Sequence, residues 1–372
     1  MAGSVASGTV FLKACECLTP FGHASETLAA LLRGERALQP RPVLGREGGD
    51  LVPLALLPDR ALDETAPPSW LAPVKTLLAP VNNNAVWGTA RRPVFVTSSN
   101  FGAGSLYAYR RSGDAAHMEY GALVNCVAWL SKQLGWHENV AIFSHACVSA
   151  HLGLLQASRM VQAGLADEAL VFSFDFLSPF VSGGFNALKI LNADFPAPYQ
   201  ARATGSIGLG DGAGYAVLSR AGGDFTIAAQ SMYNEMHHFT SNQPDGAGFE
   251  ACLAPIAARA AGRRLWLKGH GTGTLDAGRM ESNAFAKVFP GAPLVGWKGS
   301  LGHTLGSCGL VELAIAIAAL RQGRTPGTIG SGAPTFTAEV ALDSFANDAF
   351  DGVICASNAF GGAHAALLLS HA

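Results

Sequence analysis

Charge is what this sequence has least of. Its 372 residues include 25 Lys and Arg and 27 Asp and Glu, 14% charged against 49% hydrophobic, with a formal net charge of -2. So small a charged fraction leaves little to cover a large surface, which predicts a large core and a buried subunit interface. The balance gives no electrostatic reason for nucleic acid or an anionic membrane as partner. Long apolar runs are missing as well. The longest, 313–320, falls far short of the roughly 20 residues a spanning helix needs and reads as a helix buried on all sides. No basic stretch followed by an apolar run opens the chain, so no signal peptide is expected. The seven cysteines, at 15, 17, 126, 147, 252, 308 and 355, form no paired framework. That predicts free thiols in a reducing compartment. Cys15 and Cys17 lack a matching second pair, so zinc is not expected there. A cytoplasmic protein follows as the expectation.

What is present is an alternation of short β-rich runs and helical runs. Residues 5–12, 93–97, 139–143 and 169–174 read as strands, and 24–32, with Ser25 as N-cap, as a helix. Leu123, Cys126, Val127 and Leu130 recur at helical spacing within 120–134, and Leu154, Ala157, Val161 and Leu165 mark the next helix. The β-then-α order implies parallel strands with helical crossovers. A second series follows, with strands at 225–230, 265–268, 294–298, 353–356 and 363–369 and helices at 278–288 and 307–322. The proline-bearing section 40–80 reads as loop or excursion, and 179–214 as a loop-rich cap feeding a closing strand at 214–218. Two similar βα halves, 1–222 and 223–372, are the simplest organisation.

Three segments place reactive side chains at strand ends. Cys147 lies between a strand and a helix, where the dipole and free N–H groups favour thiolate; the alternative is a buried cysteine in an Ala-rich core. His270 opens Gly271-Thr272-Gly273-Thr274, small residues that let backbone approach a ligand; the alternative is a histidine satisfying a loop carbonyl. His303 has Lys298 five residues before it and Glu312 nine after, a pair that can position the imidazole or simply flank a helix. His237 and His238 read as a solvated loop. Arg110-Arg111 and Arg263-Arg264 are solvated charges or a docking point for an acidic carrier protein. The run from Gly208 to Gly214 precedes a strand instead of joining strand to helix, so it is not a dinucleotide loop.

Together these segments resemble the β-ketoacyl-acyl-carrier-protein synthases of the thiolase superfamily. The resemblance runs nearly end to end. It is carried by Thr19-Pro20-Phe21-Gly22, Ala146-Cys147, Gly210-Asp211-Gly212-Ala213-Gly214, His270-Gly271-Thr272-Gly273-Thr274, then Lys298, Gly302-His303 and Glu312, and finally Phe360-Gly361-Gly362. It implies a layered αβαβα thiolase fold and a decarboxylative Claisen condensation between an acyl thioester and a malonyl thioester. Cys147 then holds the acyl chain. His270 and His303 serve the malonyl carbonyl without a metal or other cofactor, with Lys298 and Glu312 behind them. The amides of Cys147 and Phe360 form the oxyanion hole, and Phe360 with Gly361 and Gly362 forms a gate. Implied partners are acyl carrier protein and a second ketosynthase in a homodimer or heterodimer.

Four positions depart from the family pattern: His145 for a small Thr, Val148 for Ala or Ser, and Asn358-Ala359 for Phe-Gly. They leave a second reading, a chain-length-factor-like partner subunit of a fatty acid or polyketide ketosynthase. A thiolase stands third, since Cys355 lies upstream of the glycine turn where a second reactive cysteine is wanted.

Overall fold

The computed structural model describes residues 9–46, 49–62, 65–202, 204–238 and 241–372. Ten strands form its main sheet: β1 (Val10–Leu18), β2 (Val94–Thr97), β3 (Val140–Phe143), β4 (Glu168–Asp175), β5 (Gly212–Ser219), β6 (Phe225–Asn234), β7 (Leu265–Lys268), β8 (Leu294–Val295), β9 (Gly352–Ala359) and β10 (Ala363–His371). In space they run β8-β7-β9-β10-β6-β1-β5-β4-β2-β3. Counting strands within each five, both sides read third, second, fourth, fifth, first. In each, the second strand pairs parallel with the third and fourth, and the fifth pairs antiparallel with its neighbours. The join between the fives is narrow. Among the described residues β1 meets β6 through Val10, Phe11 and Leu12, and Gly222, at φ +82°, turns the chain between the two series.

The helices that position the site are α1 (Ala24–Leu32), α2 (Leu71–Asn82), α3 (Leu123–Leu134), α4 (Ser149–Gln162), α5 (Pro179–Ala187), α6 (Ala247–Ala260), α7 (Leu275–Val288) and α8 (Cys308–Gln322). α4 and α8 touch each other and strands of both fives. With α1 they make the largest core, where Leu154, Ala157 and Val161 meet Leu310, Leu313 and Ile317. α2 and α3 close one outer face around Trp70, Trp129 and Phe172, and α6 and α7 close the other around Phe249, Phe285 and Leu267. This is the αβαβα layering of the thiolase fold. α8 is apolar around its whole circumference because it is enclosed on every side. The apolar stretch Leu305–Gln322 is 83% buried; the fold itself covers it.

Several elements differ from expectation. Residues 5–8 of the first expected strand lie outside the described residues, and β1 continues to Leu18. His23, not Ser25, is the N-cap of α1; the Ser25 hydroxyl donates to Glu26 Oε2. The section expected as loop contains strands Gln39–Pro42 and Leu51–Ala55 and helix α2, which tolerates Pro80 in its last turn. The expected cap loop contains α5, capped by Ser178 with Pro179 at its first position. The expected strand over 294–298 stops at Val295, and Lys298–Leu301 is a short helix. Leu165 lies past the end of α4 and is 61% exposed.

Candidate active site

Cys147 sits in the turn between β3 and α4. The preceding Ala146 has φ +45°, a left-handed conformation unusual for a residue with a side chain. The Ser149 hydroxyl holds this turn, accepting from the His145 amide at 2.8 Å and donating to the Ala146 carbonyl at 2.7 Å. α4 starts at Ser149, with Val148 as its N-cap, so the thiol lies just outside the helix.

His303 occupies the corresponding place in the other series, between β8 and α8. Its backbone is stitched to the first half: Gly210 N donates to His303 O and His303 N to Gly208 O, both at 3.0 Å. Leu305, at φ +55°, turns its amide onto His303 Nδ1 at 3.2 Å. Nδ1 is thereby an acceptor, so in the neutral ring the proton is on Nε2. That nitrogen lies 2.9 Å from Cys147 Sγ. The His270 ring stands edge-on to His303, centroids 4.9 Å apart at 88°. The ligand atoms of Cys147, His270 and His303 lie within 4.8 Å of one another. The three segments singled out in the sequence therefore converge on one point.

Behind them lies a buried charge cluster. Lys298 Nζ reaches Glu312 Oε1 at 2.8 Å, and Lys268 Nζ binds the other carboxylate oxygen. All three are buried. The sequence reading paired Lys298 with Glu312 and missed Lys268. Its signal was a lysine ending an otherwise apolar strand, two residues before His270. Burial pulls Lys268 down, whereas Glu312 holds Lys298 up against its own burial; the two lysines hold the Glu312 carboxyl below the usual carboxylate range, also against burial. Burial, then Lys298, pushes His270 and His303 well below the ordinary imidazole value, so both rings are neutral. Burial, and after it Cys308, pushes the Cys147 thiol up, opposed by Lys298. Burial thus works against the thiolate that the helix start favours, and His303 Nε2 is placed to donate to the sulfur.

Glu281 is the second residue the sequence reading missed. It projects from α7 and accepts from the His270 amide, from the Gly271 amide at 2.9 Å, from the Tyr199 hydroxyl at 3.0 Å and from Asn358 Nδ2 at 3.3 Å. It lies eleven residues after His270 in an amphipathic helix, where the sequence gives nothing to set it apart from any helical acid.

A cavity of about 460 Å³ opens beside Cys147, His270 and His303. Phe185, Ile190, Ile207, Met280 and Phe360 give it an apolar side, and Thr272, Thr274 and Asp276 a polar one. His237, exposed in the loop after β6 as the sequence suggests, also borders it. Phe360 is 38% exposed and stacks on Phe185 at 6.3 Å. Gly361 and Gly362 carry positive φ, +84° and +72°, in the turn between β9 and β10. His145 points away from the cavity lining toward Asn234. Val148 is buried against Ala359, Ala363 and Ala365. Asp211, of the glycine-rich run, is structural: it pairs with buried Arg60 and accepts the Leu57 and Leu177 amides.

Residues 225–331 match the family described as beta-ketoacyl synthase, C-terminal domain. Over 257 residues the chain is 29% identical to 3-oxoacyl-[acyl-carrier-protein] synthase 2 of Coxiella burnetii, covering 62% of this chain and 61% of that protein. It is 29% identical over 270 residues to the tetracenomycin polyketide synthase ketoacyl synthase alpha subunit of Streptomyces glaucescens, covering 66% and 62%. These matches thus span less than two thirds of either relative. A solved ketosynthase in complex with its chain length factor, from Xenorhabdus doucetiae, superposes over 98% of both chains with TM-score 0.81 at 20% identity. The fold is the same.

Proposed function

We propose that this chain, which carries the β-ketoacyl synthase C-terminal domain on a ketosynthase fold, catalyses decarboxylative condensation of an acyl thioester with a malonyl thioester on acyl carrier protein. The observation that carries the reading is the meeting of Cys147 Sγ and His303 Nε2 at 2.9 Å, with His270 beside them, at the wall of one cavity. Cys147 attacks the acyl thioester. Its proton leaves with the carrier thiol, so the exchange is proton-neutral. The amides of Cys147 and Phe360 hold the passing oxyanion.

The malonyl thioester then enters with its carbonyl toward the two rings. Loss of carbon dioxide moves an electron pair onto that thioester, and the oxygen gathers negative charge. A neutral imidazole with its proton on Nε2, as the Leu305 amide dictates for His303, is the donor this step needs. The carbanion equivalent attacks the Cys147 thioester, the sulfur departs, and solvent returns its proton. The extra positive charge of Lys268 and Lys298 over Glu312 favours every anionic stage.

The proposed partners are acyl carrier protein and a second ketosynthase subunit, in the cytoplasm. β3 is an uncovered sheet edge among the described residues, while β8 is covered by Glu339 to Ala341. An open edge of this kind is where a partner strand adds. The direct test loads the protein with acyl carrier protein bearing an acyl group, adds malonyl-carrier protein with and without the partner subunit, and follows product by mass. Acylation of Cys147 followed by a product two carbons longer supports the reading. Product formation that persists in a Cys147→Ala heterodimer moves this chain to the chain-length role instead.

A further inference from the structure

We propose that His364 is a positioning residue that ties the Phe360 turn to the His270 loop, so that acyl loading and malonyl decarboxylation are coupled through one buried chain of side chains. The inference rests on the condensing reading above. Asn358 and His364 face each other across the β9–β10 hairpin, just below the turn that carries Phe360. His364 Nδ1 lies 2.7 Å from Asn358 Oδ1, and Asn358 Nδ2 lies 3.3 Å from Glu281 Oε1. The same carboxylate receives the amides of His270 and Gly271. At the other end His364 Nε2 lies 3.1 Å from Glu235 Oε2, and the Glu235 amide donates to the Gly362 carbonyl at 2.9 Å. The chain thus begins under the Phe360 turn and ends under His270.

Its direction is fixed by chemistry. Glu281 offers only acceptors to Asn358, so the amide nitrogen must face it. The amide oxygen then faces His364, whose Nδ1 must carry a proton. Every link is enclosed: His364 is 0% exposed, Asn358 3% and Glu281 2%. Phe249 packs against the imidazole at 5.6 Å. A Cβ placed on Gly362 falls 2.4 Å from Glu235 Cγ, so the turn rests directly on the acid. The buried links from His364 through Asn358 to Glu281 are stiff, and Nε2 donates to the Glu235 carboxylate when the ring takes its second proton, whereas two positive-φ glycines leave the turn itself free to move. A shift of Phe360 that admits an acyl chain is therefore passed through His364 and Asn358 to the carboxylate that orients the His270 peptide. The departure at Asn358 has a role in this light: it replaces a family aromatic with the amide that links the two sites.

Three rates in the whole protein separate this role from a merely structural one: acylation of Cys147, carbon dioxide release from malonyl-carrier protein, and condensation. In His364→Ala, acylation is expected to stay within about threefold of the parent while kcat for carbon dioxide release falls about tenfold with KM little changed. Asn358→Ala should behave alike, and the double variant should be no worse than either single one, because all three break the same chain. His364→Gln, which keeps a donor for Asn358, should recover part of the loss. Equal losses in acylation and decarboxylation, or additive effects, overturn the proposal. Hydrogen exchange across residues 268–274 gives a readout free of the chemistry. Lost protection there in His364→Ala supports the coupling even if the parent proves inactive and the condensing reading falls; unchanged protection overturns it.

Discussion

The two halves share one strand order and put it to different uses. In each, the third strand feeds a central helix. One such junction ends in Cys147 and the other in His303, and α4 and α8 bring them together. The second strands diverge more. After β2, Ser98, Ser99 and Asn100 give their hydrogen bonds to the buried Asp175. After β7, His270 and Gly271 give their amides to Glu281. An acid gathers the loop in both cases. In the first half the result is a closed strand end gathered on Asp175. In the second the loop leaves an imidazole facing a cavity. On the proposed reading, one half supplies a single nucleophile on a rigid seat, while the other supplies donors, charge and gate.

Breaking the nucleophile's side of this division has the largest expected effect. Cys147→Ala should abolish the acyl-enzyme and condensation, seen as loss of the acyl mass shift. Malonyl decarboxylation, which belongs to the other half, should persist. Glu312→Gln comes next: it leaves two buried lysines without a carboxylate and should cost about 3–5 kcal/mol in urea unfolding. His270→Ala and His303→Ala should each lower decarboxylation roughly 10²–10³-fold while Cys147 still acylates. If either removes acylation as completely as Cys147→Ala, the division of labour fails.

The smallest effect concerns pH. His151, one turn after Cys147 on α4, is buried, and burial holds it down at about 3 from the ordinary 6.5; His270 and His303 are lowered also. Their folded values lie below the unfolded ones, so the unfolded chain takes up protons first. Stability is full above pH 6.5 and falls as pH drops below it. Each histidine contributes up to about 1.4 kcal/mol of loss per pH unit. His151→Leu should remove about 1 kcal/mol of the difference between urea unfolding at pH 7.5 and 5.5.

The strands and helices of the central layers were legible because their apolar runs are short, bounded and end at reactive residues. Cys147, His270 and His303 were legible for the same reason, each standing out against small neighbours. Lys268 and Glu281 were not. Each looks ordinary in its own element, a strand-ending lysine and a helical acid, and acquires meaning only from a partner distant in the chain. The pull against a thiolate at Cys147 was not legible either, because a helix start read from sequence says nothing of Cys308 beside the sulfur. The two proline-bearing sections hid real helices: Pro179 sits at a first position where it favours a helix, and Pro80 falls where α2 is already ending.

The stitching of His303 to Gly208 and Gly210 has a consequence for anyone dividing the protein. A Cβ on Gly210 falls 2.1 Å from the Leu301 carbonyl oxygen, and one on Gly302 falls 2.6 Å from the Leu209 carbonyl carbon. The segment bearing His303 is thus cast against backbone supplied by the first half, with no room for even a methyl group. Fragments separated at residue 222 would each carry a recognisable share of the chemistry, yet the mould that shapes His303 would be left with the other piece. Reconstitution from such fragments would report on docking of this seam before it reported on catalysis.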